Sequence, residues 1–208
     1  MITHLFFDLG YTLIDEDRVW ERRCTEQAQT VECRDKHIRA QDILSALQNA
    51  ARCRRPQYET ALKQLGLHER IPYRSEFETL YPEAIPTLKA LFARYRLCIL
   101  ANQSDALQQR LRDFGIATYF RTVVSSAELD IAKPDPRIFR YALTQSDCTA
   151  RHAVMIGDRL DNDILPAIAI GMHTIWIRQG IAKQQILLPE DPRPDHIVNN
   201  LSELLAIL

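Results

Sequence analysis

From residue 82 onward, short apolar segments alternate with helical patterns, and this alternation constrains the fold more than any other feature. The apolar segments are rich in Val, Ile and Leu, which is typical of buried strands, whereas the intervening segments carry apolar residues at helical spacing. The predicted strands are 96–101, 122–125, 153–156, 174–177 and a short one at 195–198. The predicted helices are 83–94, 104–114 with Ser104 as N-cap, one capped by Asp135 with Pro136 at its first position, 162–170 and 201–207. Such alternation predicts a parallel sheet covered on both faces, a doubly wound, Rossmann-like α/β core.

The N-terminus adds a further strand, in which Leu5, Phe6 and Phe7 lead into Asp8, with Gly10 two positions later. In open α/β sheets, ligands bind beyond the carboxyl ends of the strands. A carboxylate at such an end, followed by a glycine turn, is well placed for chemistry. The alternative is that Asp8 only caps a turn.

Between these two parts, residues 15–81 have a different character. They are rich in Arg, Glu, Gln and Ala, show little strand signal, and are interrupted by Pro56 and Pro72. We predict three to five helices here. The predicted domains are a core of residues 1–14 and 82–208, and an inserted helical domain of residues 15–81.

Composition narrows the class of protein. The 208 residues carry a net charge of −1, which gives no reason to expect nucleic acid or an anionic membrane as a partner. No apolar run approaches the roughly 20 residues of a membrane span, and no signal-peptide pattern precedes the first strand, so we expect a cytoplasmic protein. The five cysteines are scattered without a C-x-x-C pair, which fits neither a disulfide framework nor a zinc site.

Chemically active side chains follow several of the predicted strands. Asp8 ends the first strand, Asn102 the second and Asp158 the fourth, and Asp163 lies just beyond; Lys133 lies between the third strand and its helix. Parallel strands bring these ends to one edge of the sheet. Carboxylates converging with one lysine form either a Mg²⁺ site or an ion network that neutralises itself.

In these segments the sequence resembles the haloacid dehalogenase (HAD) superfamily, which consists mostly of phosphatases. Asp8, Gly10 and Thr12 occupy the fixed positions of its first motif, D-x-D-x-T, and Ala101-Asn102 stands at its second. Lys133-Pro134-Asp135-Pro136 matches the third motif, K-P-x-P, and Gly157-Asp158 through Asp163 matches the fourth. The resemblance covers nearly the whole chain, and the helical insertion looks like the cap that sets substrate choice in this family.

The resemblance implies roles for these residues. Asp8 would be the nucleophile that forms an aspartyl-phosphate, and Lys133 would neutralise charge beside it and contact the phosphate. Mg²⁺ would be held by Asp8, Asp158 and the backbone carbonyl of Gly10. Asp163 would support the metal or hold Lys133. The implied partner is a small-molecule phosphate ester.

Two positions depart from the family pattern. Gly10 replaces the aspartate that serves as general acid and base, a contribution typically worth about 10²–10⁴-fold in rate. Some family phosphatases also carry glycine there, so phosphatase activity is not excluded. Ala101 replaces a phosphate-binding hydroxyl, for which Asn102, backbone amides or Ser104 are candidate substitutes.

These departures leave three functions open: a Mg²⁺-dependent phosphatase, which is our prediction, a weakly active or inactive binding protein, and a metal-free 2-haloacid dehalogenase. Dehalogenases also lack the second aspartate, but they usually have D-x-Y-G-T, whereas Gly10 and Tyr11 stand here in the opposite order. The sequence leaves the substrate and the oligomeric state open.

Overall fold

The computed structural model describes residues 1–103 and 106–208, apart from the side chain of Glu128. The predicted N-cap at Ser104 lies outside these residues. The chain divides into two compact units. The first contains residues 1–14, 80–179 and 187–208, and the second contains residues 15–79 and 180–186. The second unit thus takes in a short C-terminal segment besides the predicted insertion. That residues 15–81 act as a cap stays a prediction.

The strands and helices follow one another along the chain much as the sequence patterns suggest. The strands are β1 (His4–Phe7), β2 (Ile14–Asp15), β3 (Thr79–Leu80), β4 (Arg96–Ala101), β5 (Phe120–Ser125), β6 (Ala153–Gly157), β7 (His173–Ile177) and β8 (His196–Val198). The α-helices are α1 (Asp17–Ala28), α2 (Val31–Asp35), α3 (Ala40–Arg52), α4 (Gln57–Gln64), α5 (Ala84–Phe92), α6 (Leu107–Asp113), α7 (Ser126–Leu129), α8 (Pro136–Gln145), α9 (Leu165–Ala169) and α10 (Leu204–Ile207).

The described residues of the first unit form a parallel six-stranded sheet in the order β5-β4-β1-β6-β7-β8. Strand β1 lies in the middle, where Leu5 pairs with both Leu97 of β4 and Val154 of β6. From β1 the strand order proceeds to one side through β4 and β5, and then to the other side through β6, β7 and β8. Doubly wound sheets bind ligands at such a topological switch point. The predicted α/β fold class is confirmed.

Both faces of this sheet are buried, which explains why the strands read as continuous apolar runs. Leu5 and Phe7 of β1 point into one hydrophobic cluster, together with Leu88 of α5. Phe6 points to the other face and packs with Phe139 of α8. Helix α8 begins as predicted, because Asp135 accepts a hydrogen bond from the Arg137 backbone N–H at 2.9 Å, with Pro136 at the first turn.

Two predicted helices differ in form. The helix predicted over 201–207 begins with a 3-10 turn at Leu201–Glu203 before α10. The sequence predicts an α-helix over 162–170, but Leu160–Ile164 is a π-helical turn that leads into α9. The Leu165 N–H bonds to the Leu160 carbonyl, five residues back. Pro166 has no N–H with which to continue the α pattern to residue 162, so the wider turn precedes it. This turn carries Asp161 and Asp163.

The second unit contains helices α1 to α4, within the predicted range of three to five. Its core is formed by apolar side chains at helical spacing, including Val19, Ile43, Leu47, Tyr58 and Leu62. The segment 180–186 packs against α3. Across the described residues, no helix is both long and apolar enough to cross a membrane.

Candidate active site

A buried ion network lies where β1 ends. Lys133 Nζ donates to Asp8 Oδ1 at 2.6 Å and to Asp163 Oδ1 at 2.5 Å. The side chains of Lys133 and Asp163 are each 1% exposed, whereas Asp8 is 13% exposed. Asp8 is therefore the carboxylate of this network that solvent and a ligand can reach.

Lys133 remains charged in this setting. Burial alone would lower its pKa, but the negative charges of Asp163 and Asp8 outweigh burial and raise the pKa of this ammonium group above its ordinary value. The site therefore holds a permanent cation against the Asp8 carboxylate. Such a fixed charge can stabilise anionic oxygens without reorganising during a reaction.

Burial has the largest effect on the pKa of Asp163. Its pKa is raised to about 6, chiefly by desolvation; the Lys133 charge opposes this rise and the Asp8 charge adds to it. Its second oxygen accepts a hydrogen bond from the Arg159 backbone N–H at 3.0 Å. Asp163 thus has both oxygens engaged, one with Lys133 and one with the Arg159 backbone; its two predicted roles stay predictions.

Gly157 has a structural role that the sequence motif does not reveal. A Cβ atom at this position would lie 2.6 Å from the side-chain atoms of Asp163, closer than real Cβ contacts. Only glycine lets the end of β6 approach the Asp163 carboxylate this closely. The glycine of the fourth motif therefore fixes where Asp163 lies, and through it Lys133.

Asn102 is engaged with the backbone of Lys133. Its Oδ1 accepts from the Lys133 N–H at 2.8 Å, and its Nδ2 donates to the Lys133 carbonyl at 2.8 Å. This pair of bonds ties the end of β4 to the loop that carries the lysine. One Nδ2 proton remains for another acceptor, so the predicted phosphate contact of Asn102 stays a prediction beside its observed positioning role.

Two further residues support the end of β6, and sequence reasoning missed both. Trp176 of β7 donates from Nε1 to the Asp158 carbonyl at 2.7 Å, in a buried bond. The guanidinium of Arg159 pairs with Asp161. A tryptophan in a strand reads from sequence as core packing, so its bond to the backbone of a site residue has no sequence signal.

Three carboxylates meet at this edge. Ligand oxygens of Asp8, Asp158 and Asp163 lie within 4.8 Å of one another. This is a hard oxygen donor set of the kind that Mg²⁺ prefers, so the residues present fit such an ion.

Of the two positions that depart from the family pattern, Gly10 lies on the turn after β1 and Ala101 ends β4. Gly10 forms an isolated bridge with Ile14. The Thr12 hydroxyl is buried and has no hydrogen-bond partner among the described residues. Ala101 is the fully buried last residue of β4, so it brings no hydroxyl to the site. The suggested contact from Ser104 lies outside the described residues.

Known proteins are similar to this chain in sequence and in fold. A family model described as HAD-hydrolase-like matches residues 130–204. The phosphoserine phosphatase of Thermus thermophilus is 31% identical over 200 residues, which cover 94% of this chain and 74% of that enzyme. The chain belongs to the haloacid dehalogenase-like hydrolases. The phosphoserine phosphatase is one of several phosphatases among its curated relatives.

Other curated relatives match a shorter region. The pyrimidine 5′-nucleotidase YjjG of Escherichia coli is 37% identical over 136 residues, covering 64% of this chain and 59% of that enzyme. The glyceraldehyde 3-phosphate phosphatase of Methanocaldococcus jannaschii is 34% identical over 130 residues, covering 62% of this chain and 56% of that enzyme. In both cases this HAD-like chain spans less than two thirds of its relative.

Solved structures share the fold. The HAD phosphatase from Thermococcus onnurineus superposes with a TM-score of 0.71 at 24% identity, covering 99% of this chain and 97% of that chain. The HAD-hydrolase YfnB from Bacillus subtilis, solved bound to magnesium, gives 0.73 at 24%, with 100% and 98% covered. A 2-haloacid dehalogenase from Pseudomonas syringae gives 0.64 at 24%, with 100% and 98% covered. The HAD fold alone therefore does not separate phosphatase from dehalogenase.

Proposed function

We propose that this HAD-like hydrolase is a Mg²⁺-dependent phosphatase that acts on a small phosphorylated metabolite through an aspartyl-phosphate on Asp8. The observation that carries the proposal is the placement of Lys133, which bonds Asp8 and Asp163 at the edge where Asp158 also lies. Three converging carboxylates favour a cation and an anionic substrate.

The reaction begins at the accessible carboxylate. Oδ1 of Asp8 is held by Lys133 at 2.6 Å, which leaves Oδ2 to attack phosphorus. The new bond joins Asp8 to the phosphoryl group, and the ester P–O bond breaks, releasing an alkoxide that takes up a proton. Water then attacks the aspartyl-phosphate and restores the Asp8 carboxylate with release of phosphate.

Charge neutralisation is the main task of the surrounding residues. Lys133 keeps its proton, because its pKa is raised by Asp163 and Asp8, and it would face the oxygens of the transferring group. Asp8, Asp158 and the Gly10 carbonyl would hold Mg²⁺, with Asp163 as a further candidate ligand. Bound there, the ion neutralises charge on phosphoryl oxygens.

Gly10 should limit the rate of this reaction, because it cannot act as a general acid or base. It offers no carboxyl to protonate the leaving group or to activate the attacking water. Esters whose leaving group needs no proton should therefore react, whereas alkyl phosphates should lag unless the substrate supplies its own proton route. Slow water attack would let the aspartyl-phosphate accumulate and produce a burst of released phenol.

The test is turnover of an aryl phosphate with an acidic phenol, in Mg²⁺ and in EDTA, beside an Asp8→Asn variant. We expect Mg²⁺-dependent turnover by the wild type and none by Asp8→Asn. A parallel reaction with 2-chloropropionate in EDTA assays the dehalogenase function. Metal-independent chloride release would replace the proposal by that function, and inactivity in both assays would favour a binding protein.

A further inference from the structure

A cavity lies at the opposite end of β1 from Asp8. Its volume is about 590 Å³, and it opens at the N-terminal ends of β1 and β4 and beside the start of β5. His4 is the first residue of β1 and Arg96 the first of β4. Because β1 has four residues at about 3.3 Å each, the cavity lies roughly 13 Å along the strand from Asp8.

The lining of this cavity is cationic. Arg94, Arg96 and Arg121 contribute three guanidinium groups, against one carboxylate from Asp147. Among the described residues, none of the three arginines has a carboxylate within ion-pair distance. All three residues are exposed to solvent.

Other arginines of this chain are arranged differently. Arg39 pairs with Asp42, Arg137 with Asp135, and Arg159 with Asp161. Each of these three arginines forms an ion pair with an aspartate two or three residues away in the sequence. Three arginines that converge on one cavity without such partners repel one another, and an anion between them would remove that repulsion.

A buried histidine borders the same cavity. His4 is 4% exposed, and its Nδ1 lies 2.8 Å from Thr3 Oγ1. Its Nε2 is buried and has no hydrogen-bond partner among the described residues, which is uncommon for a buried polar atom. Burial and then the Arg96 charge lower the pKa of His4, against the opposing effects of the Ser146 backbone and Asp147; the nearby His152 lowers it further.

The cavity also has an apolar wall. Phe92 is 47% exposed, and the Arg94 guanidinium lies 5.3 Å from the centre of the Tyr95 ring. The volume falls within the range of small-molecule sites, about 300–1,000 Å³. Guanidinium forks match phosphate oxygens in geometry as well as in charge.

We propose that this cavity is a binding site for a small, multiply charged phosphate compound, separate from the catalytic edge. Arg96 and Arg121 bind the phosphate groups, and Arg94 closes the site over the aromatic wall. Because the cavity and Asp8 lie at opposite ends of β1, its ligand is not the phosphatase substrate in its reacting position. The inference does not depend on the phosphatase proposal.

The test uses the full chain in EDTA with inorganic tripolyphosphate as the probe and calorimetry as the readout. We expect saturable binding that weakens roughly tenfold or more in Arg96→Gln and in Arg121→Gln, since each removes a charged hydrogen-bond donor. Arg140→Gln is the matched control. Arg140 is exposed on α8 and does not line the cavity, so its loss should leave the affinity unchanged.

Two further measurements locate the probe. The His4 ring resonance, followed by NMR, should show an upward shift of its pKa when tripolyphosphate is added, because the anion offsets the Arg96 charge. Asp8→Asn should bind the probe as the wild type does. Absence of binding, equal weakening by Arg140→Gln, or an altered affinity in Asp8→Asn would overturn the proposal.

Discussion

Lys133 Nζ and Asp163 Oδ1 lie 2.5 Å apart, and both side chains are 1% exposed. Asp8 shares the same ammonium group at 2.6 Å. One buried cation therefore faces two carboxylates, and Asp158 lies beside them. Without a further cation the carboxylates at this edge outnumber the shared ammonium group, which makes the edge receptive to a metal ion. Burial, with a further contribution from the Asp8 charge, raises the pKa of Asp163.

Replacing the shared cation should destabilise the protein strongly. Lys133→Met removes the charge that compensates Asp8 and Asp163 and leaves two neighbouring carboxylates. Breaking a buried pair in this way costs about 3–5 kcal/mol. Denaturant unfolding in EDTA measures the free energy of unfolding. Aryl phosphate turnover by Lys133→Met should be as low as that of the Asp8→Asn variant.

The double variant Lys133→Met/Asp163→Asn is the control for this prediction. Removing the second charge should recover part of the lost stability but none of the activity. Additive losses of stability in the double variant would show that the two side chains do not interact as the structure places them.

The raised pKa of Asp163 predicts a specific pH dependence of stability. The folded-state pKa of about 6 exceeds the ordinary 3.8, so the folded protein holds a proton that the unfolded chain releases between these values. The stability contributed by this group is present below pH 3.8 and is lost as pH rises through 6. A difference of this size corresponds to roughly 3 kcal/mol.

Comparison with Asp163→Asn isolates this group. In EDTA, the unfolding free energy of the wild type minus that of the variant should fall between pH 4 and pH 7. The asparagine does not titrate. It keeps one acceptor oxygen, which can serve either Lys133 or the Arg159 N–H; the loss of the other bond is a constant offset that does not change with pH. A difference that grows with pH would mean that Lys133 holds the Asp163 carboxyl in its charged form.

The sequence predicts the sheet because its strands are buried on both faces and its helices have clear ends. Asp135 and Pro136 mark the start of α8 through contacts within a single turn. Such local signals can be read from sequence because they do not depend on how distant parts of the chain pack. The π-helical turn at Leu160–Ile164 escapes this reasoning, because apolar spacing does not distinguish it from the start of an α-helix.

The candidate site is predictable only in part. Strand ends bring Asp8, Asn102 and Asp158 to one edge, so their proximity follows from topology. The bond of Trp176 to Asp158 and the contact of Gly157 with Asp163 depend on packing between neighbouring elements. The two hydrogen bonds between the Asn102 side chain and the Lys133 backbone likewise join residues that are 31 positions apart in the sequence. No pattern in either segment predicts them.

Gly157→Ala should damage the site through a single methyl group. The new Cβ would lie 2.6 Å from Asp163, so the carboxylate must move and draw Lys133 with it. Overpacking of this kind typically costs about 1–3 kcal/mol, and aryl phosphate turnover should fall more than the fraction of folded protein does.

Gly171→Ala separates stability from activity in this experiment. Gly171 has a φ of +85°, so alanine strains the backbone there, but its Cβ would meet only the Ala150 Cβ at 4.0 Å. We expect a loss of stability with unchanged kcat. If kcat is unchanged in Gly157→Ala as well, Asp163 does not position Lys133 for the reaction.

Magnesium should stabilise the folded protein through the three carboxylates. The melting temperature should rise with Mg²⁺ concentration, because the ion binds the native state and not the unfolded chain. Asp158→Ala should abolish the rise. Asp161→Asn is the control, since Asp161 pairs with Arg159 and is not part of the three-carboxylate group. A rise that persists in Asp158→Ala would place the metal elsewhere.

The last prediction concerns the position that departs from the family pattern. Gly10→Asp supplies the carboxyl that protonates a leaving group and activates water, so turnover of an alkyl phosphate should rise by up to about 10²–10⁴-fold. Turnover of an aryl ester with an acidic phenol should change less, since that leaving group needs no proton. Gly10→Asn has nearly the same size but transfers no proton, so it should not reproduce the gain. An equal gain from aspartate and asparagine would point to a change in the shape of the turn, and no gain on either ester would show that proton transfer does not limit this enzyme.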